Sequence, residues 1–199
     1  MKKFATLIMG LTAVFALTAC GGKGTEVKED AFKKEAEAIE EHEYTSATLK
    51  YSYSAEEGKE KESEKGTVTY TKEGGSWKVG ETDLKYADDF SSIFSANLKD
   101  LVASGSITAD IGGSASQYGM KATTKYYKNP LGIETKASVD TSGEDGTMKG
   151  SMSAYIAFDK YGYVTKVEYK VDMKMSFEMM GEKVDTAMKM SLSATVSYK

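Results

Sequence analysis

The sequence predicts an α+β domain: a large antiparallel sheet with one covered and one wet face, joined by two amphipathic helices. Three observations carry that expectation. Apolar and polar residues alternate with period two through most of the chain after residue 44. Two short segments instead repeat apolar residues at spacings of three and four. No helical spacing returns after residue 105, and no shift in composition marks a boundary, so residues 27–199 read as one domain.

The elements follow in order. Phe32, Ala36 and Ile39, with Ala31 and Ala38 beside them, predict a helix over 27–43, with His42 at its end. Ala47, Leu49, Tyr51 and Tyr53 then alternate with polar residues as a strand. EEGKEKESEKG, residues 56–66, is wholly polar and reads as a solvated hairpin loop. Val68 and Tyr70 mark the return strand, Gly74-Gly75 a turn, and Trp77 and Val79 a short strand. Phe90, Ile93, Phe94, Leu98, Leu101 and Val102 form one stripe and predict a second helix over 87–104. Asp88 and Asp89 suit its first turn, and Gly105 its C-cap. Strands are expected near 106–111, 118–127, 131–140, 147–158, 163–177 and 184–198, with the only proline, Pro130, in a turn.

The last two strands exceed the usual length of about 5–6 residues. Tyr163, Val167, Tyr169, Val171, Met173, Met175 and Phe177 share one face; Lys166, Glu168, Lys170, Asp172 and Lys174 share the other. A two-residue loop at Gly181-Glu182 would oppose Met175 to Met188, Met173 to Met190, Val171 to Leu192 and Val167 to Val196. A four-residue loop over 159–162 would oppose Phe158 to Tyr163, Met152 to Tyr169 and Met148 to Met173. Every pair then joins apolar face to apolar face, whereas a slip of one would set methionines against lysines. Met148, Met173, Met175, Met188 and Met190 should form one patch.

The front end sets location. Lys2 and Lys3 precede an apolar run from Phe4 to Leu17, which is short against the ~20 residues of a membrane-spanning helix. Leu17-Thr18-Ala19-Cys20 resembles the bacterial lipobox. That resemblance implies cleavage before Cys20, a thioether-linked diacylglycerol on its sulfur and, usually, a palmitate-like acyl group on its amine. Residues 1–19 are then a lipoprotein signal peptide and 20–26 a lipidated cysteine with a flexible tether. The protein is expected outside the cytoplasm, held to the cell membrane or envelope by its anchor.

Composition excludes several functions. The net charge of −4 becomes −6 once Lys2 and Lys3 leave, which disfavours nucleic acid. All 26 basic residues are lysine, so no guanidinium is present to clasp phosphates bidentately. The only histidine, His42, lies in a charged run, and the only cysteine is the acylation site. No nucleophile with its base can be assembled, so the expectation is a protein that is not an enzyme and has no cofactor.

A lipobox, a tether, an N-terminal helix, a second helix between early and late strands, and the FDKYG turn before the longest strand resemble the LolA/LolB/LppX-like lipoprotein carriers and lipid-binding lipoproteins. The resemblance implies a strongly curved antiparallel sheet, an incomplete barrel with a long C-terminal meander, holding its helices on an apolar concave face. It also implies a lipid or other hydrophobic guest between sheet and helices. The residues facing that space would be Met148, Met152, Tyr169, Val171, Met173, Met175, Met188, Met190 and Leu192, with Phe90 and Phe94 from the helix. Strand tyrosines, such as Tyr51, Tyr70, Tyr127 and Tyr155, could rim it. Three other readings stand beside this one: simple core packing, an anchored envelope scaffold or adaptor without a small ligand, and Cu(I) held by the thioethers of Met173, Met175, Met188 and Met190. No metal site of the usual His, Cys or carboxylate type is expected, and the protein partner stays open.

Overall fold

Alternating side chains give each long strand one apolar face, and among the described residues nine strands join into one open antiparallel sheet in the order β1-β5-β6-β7-β8-β9-β2-β3-β4. The computed structural model describes residues 23–104, 120–143, 146–179 and 182–199. The strands are β1 (Thr25–Val27), β2 (Ser46–Glu57), β3 (Glu60–Glu73), β4 (Ser76–Val79), β5 (Met120–Lys128), β6 (Leu131–Gly143), β7 (Gly146–Phe158), β8 (Val164–Met179) and β9 (Glu182–Tyr198). Strands β5 to β9 form a meander, and β9 closes onto β2. The strand expected near 106–111 and the cap at Gly105 lie outside the described residues.

Helix α1 spans Glu29–Glu37, shorter than the expected 27–43. The second expected helix is two pieces: a 3-10 helix over Asp88–Ser95 and helix α2 over Leu98–Ala103. The break has a local cause. Asn97 is extended (φ −111°, ψ 135°), and its side chain accepts from the Lys99 amide, capping α2. The same side chain donates to the Tyr161 carbonyl at 3.0 Å, and Leu98 N–H donates to the Gly162 carbonyl at 2.8 Å. Partners outside the helix therefore compete with helical continuity and win.

Phe32 and Ala36 of α1 and Ile39 just past its end, with Phe94 and Leu98, share the main core with Leu49, Tyr51, Val68, Tyr70, Val167 and Val196 of the strands. Ring contacts lock the layers: Phe32 to Tyr126 at 5.2 Å, Phe90 to Tyr51 at 4.6 Å and Phe94 to Tyr70 at 4.3 Å. Leu98 is fully buried, and its truncation to alanine would remove about 2–5 kcal/mol. The buried Tyr70 hydroxyl donates to the Ala87 carbonyl at 2.6 Å, so the polar tip is satisfied.

Several expectations need correction. EEGKEKESEKG is not a loop: β2 and β3 continue through it to a turn at Gly58-Lys59, with Glu56 opposite Lys61. Cross-strand ion pairing (Lys61 to Glu56, 3.1 Å) and the Tyr51 hydroxyl donating to Glu64 sustain this polar ladder. Glu64 also accepts the Lys85 amide at 2.8 Å, drawing the 80s segment across β3, where Gly66 leaves room for Leu84.

The expected tether is not free along its length. Thr25–Val27 pair with β5, and Lys23 reaches Glu134 of β6 at 2.6 Å.

The β8–β9 hairpin is real, but its register differs by two residues. Met173 opposes Met188, Val171 opposes Met190, Tyr169 opposes Leu192, and Met175 opposes Thr186. The pairing runs up to Met179 with Glu182, so Glu182, expected in the turn, is paired in β9; Gly181 lies outside the described residues. A shift of two keeps every side chain on its face, which is why the face assignment survives.

Between β7 and β8, Met148 opposes Met175 and Met152 opposes Val171, again two residues from expectation. Phe158 opposes Val164, with a register shift beside Ala157. The extra residue is Thr165, whose hydroxyl donates to the Ala157 carbonyl at 3.2 Å. This bulge turns Val164, whose parity with Lys166 and Glu168 would put it on the charged face, into the core, where it is fully buried.

Candidate functional site

Alternation along β6 to β9 places a second apolar cluster on the sheet, separate from the main core. Val139, Ala154, Tyr169, Val171 and Met173 are buried in it, and Met148, Met152, Met188, Met190 and Leu192 pack half-buried against them. Eight of the eleven expected guest-facing residues thus gather in one cluster. Met175 is half-buried between Met148 and Thr186 on neighbouring strands. Phe90 and Phe94 do not join them: both pack in the main core, and among the described residues only Leu192 packs against both clusters.

Cover thins along this face. Among the described residues, every member of the second cluster comes from a strand, none from a helix. Exposure rises along β8 from Val171 (4%) and Met173 (8%) to Phe177 at 36%. By contrast, the layer between helices and main core is filled by Phe32, Ala36, Phe94 and Leu98, each at most 1% exposed. Burial in apolar surroundings pushes the Tyr169 hydroxyl up to about 12, a sign of how dry the centre of the cluster is.

The tyrosines divide by face. Tyr51, Tyr70 and Tyr126 lie in the main core. Tyr127 and Tyr155 meet edge-on at 5.7 Å on the other face, beside Ala157. There Glu134 is buried and accepts from Lys23 (2.6 Å), Lys136 (3.0 Å) and the Tyr127 hydroxyl (2.8 Å). Burial alone would raise its pKa; these three donors outweigh burial and lower it to about 2. Alternation offered no sign of a buried carboxylate here, because Glu134 occupies the face that period two assigns to water.

Two openings were not legible in the sequence. A groove of about 640 Å3 crosses β7, β8, β9, β2 and β3, where Ser153, Lys170, Ser191, Ser54 and Ser63 stand in one row. A cleft of about 740 Å3 opens where the connector after α1, the break at Asn97 and the 159–163 turn converge on β3 and β4. His42 sits there, exposed and past the helix end; its ring stacks on Tyr161 at 4.1 Å and meets Tyr44 edge-on at 4.5 Å. Asp159 organises the turn by accepting the Tyr161 and Tyr163 amides, each at 2.9 Å, and the Tyr44 hydroxyl at 2.8 Å. Gly162, at φ +79°, completes it in a conformation that side chains resist.

Among the described residues no cluster of His, Cys, Asp or Glu is placed to hold a metal ion, and no helix is long and apolar enough to cross a membrane. Compared with known proteins, the chain matches no protein-family model, no curated protein and no solved structure.

Proposed function

We propose that the chain is a lipid-anchored lipoprotein of the bacterial cell envelope that binds a lipid or similar hydrophobic guest without transforming it. In this reading Cys20 carries the acyl anchor, and the sheet curves as an incomplete barrel whose concave face bears the helices, in the manner of the LolA/LolB/LppX-like group. The helix–sheet layer is filled by the protein's own side chains, so the guest lies further along the apolar face, against Met148, Met152, Met175, Met188 and Met190.

The observation that carries this is the gradient of cover along β8. The apolar face outruns the helices, and its residues grow more exposed towards Phe177. Methionine suits such a place, since its unbranched, polarizable side chain repacks around irregular apolar shapes. An acyl chain gains about 0.8 kcal/mol for each CH₂ it buries there.

Native mass spectrometry and solvent extraction of residues 21–199, purified without the anchor, test the proposal. A co-purifying lipid in near-stoichiometric amount is the expected result. Protein that is clean of lipid and does not take up added fatty acid would leave the scaffold or adaptor reading in its place.

A further inference from the structure

We propose that the cleft beside His42 binds a small organic cation, of the quaternary ammonium or alkylamine class, at a site separate from the methionine face. Its volume of about 740 Å3 falls in the range of small-molecule sites. Its walls are aromatic, with Trp77, Phe94, Tyr161 and Tyr163 among them. Its rim is acidic: Glu40, Glu41, Glu43 and Asp100 face two lysines, Lys72 and Lys99.

Ring geometry selects the contact surface. Phe94 is fully buried and serves as floor. Tyr161 has His42 stacked on its ring, and the Lys160 ammonium lies 4.6 Å from its centroid. The chain thus already sets a cation on an aromatic ring here. Trp77 is half-buried, with Lys72 opposite it on β3; among the described residues its ring neighbours Phe94 and Tyr198 meet it at 44° and 61°, so neither stacks parallel on its faces. Indole is the strongest aromatic partner for a cation.

The charges select the ligand. Lys72 is held by Glu43 at 2.5 Å, and Lys99 lies 3.9 Å from Glu41. Lys72 and Lys99 therefore offset two carboxylates, and Lys160 on the Tyr161 ring interacts with Glu40, which leaves Asp100 as the surplus negative charge on the lining. An anion would meet repulsion, and a neutral ring would gain stacking alone. A cation with an apolar body gains from both the ring and the rim.

Trp77 is the only tryptophan in the chain, so its fluorescence reports on this cleft. The test is a titration of the purified full chain with choline chloride at constant ionic strength, with sodium chloride and glucose as controls. A saturable change with choline and none with the controls is expected. Glu43→Gln and Asp100→Asn should each weaken binding roughly two- to fivefold. Lys72→Gln should tighten it, because Glu43 then loses its internal partner. Trp77→Leu, followed by ligand-observed NMR, should abolish it. The acidic positions are surface sites whose variants fold, so the test does not depend on the tryptophan variant. No saturable response to choline, an equal response to glucose, or unchanged binding in both acidic variants would overturn the proposal.

Discussion

Replacing Glu134 by glutamine tests how the N-terminal segment is fastened to the sheet. The carboxylate side chain is 6% exposed and accepts from Lys23, Lys136 and Tyr127. Its pKa falls from 4.5 to about 2, and at about 1.36 kcal/mol per unit the folded state gains about 3 kcal/mol from its ionisation. Lys23 and Lys136 are about half exposed and rehydrate easily, and glutamine still accepts from Tyr127. The expected loss at pH 7 is therefore about 2–3 kcal/mol. Because the folded pKa is depressed, this stabilisation is complete above the unfolded value of 4.5 and fades as pH falls to about 2. Urea denaturation of wild type and Glu134→Gln at several pH values from 7 to 2 measures it. Only the difference between the two proteins matters, since the other carboxylates contribute to both. The gap should be widest at neutral pH and nearly closed at pH 2. A gap below about 0.5 kcal/mol at pH 7, or one that does not change with pH, would refute the reasoning.

Further outcomes follow from register and capping. With Cys20 replaced by serine, the pair Met173→Cys and Met188→Cys should oxidise to a disulfide, because these residues are directly opposite, while Met175→Cys with Met188→Cys should bridge poorly; gel mobility under non-reducing conditions reads the difference. Asn97→Ala removes both the cap on Lys99 and the bond to Tyr161, each 3.0 Å, and should lower stability by about 1–2 kcal/mol in thermal or urea unfolding.

Much of the sheet was legible because period two is a strong signal over long strands. The faces of β8 and β9 follow directly from Met173, Met175, Met188 and Met190 alternating with Lys174 and Lys189. Parity is also where that information stops. A register that opposes Met173 to Met188 and one that opposes Met173 to Met190 both match apolar to apolar, so side-chain alternation cannot choose between them. The bulge at Thr165 left no mark, since its effect is felt by Val164 in three dimensions only. Residues 56–66 looked like a loop because polarity usually means solvent, yet cross-strand partners, such as Lys61 for Glu56 and the Tyr51 hydroxyl for Glu64, hold this polar run in a ladder.

The candidate sites divide in the same way. The methionine cluster belongs to neighbouring strands, so its membership could be read from alternation even with the register displaced. Phe90 and Phe94 were grouped with it because they are apolar and helical. The main core claims them, since the helices lie over Tyr51 and Tyr70 rather than over the methionines. The aromatic cleft draws on residues near 42, 77, 97 and 161, and no local pattern links four segments so far apart. His42 appeared as a lone charged-run histidine because Tyr161, its stacking partner, is remote in the chain.

The central claim is that the methionine face beyond the helices holds a hydrophobic guest. Photo-crosslinking with a fatty acid bearing a terminal diazirine, followed by peptide mass spectrometry, tests it most directly. The account predicts labels on β7, β8 and β9 around Met148, Met175, Phe177 and Met188, competed away by unlabelled fatty acid. Labels confined to the helices, or no labelling that unlabelled fatty acid displaces, would contradict it.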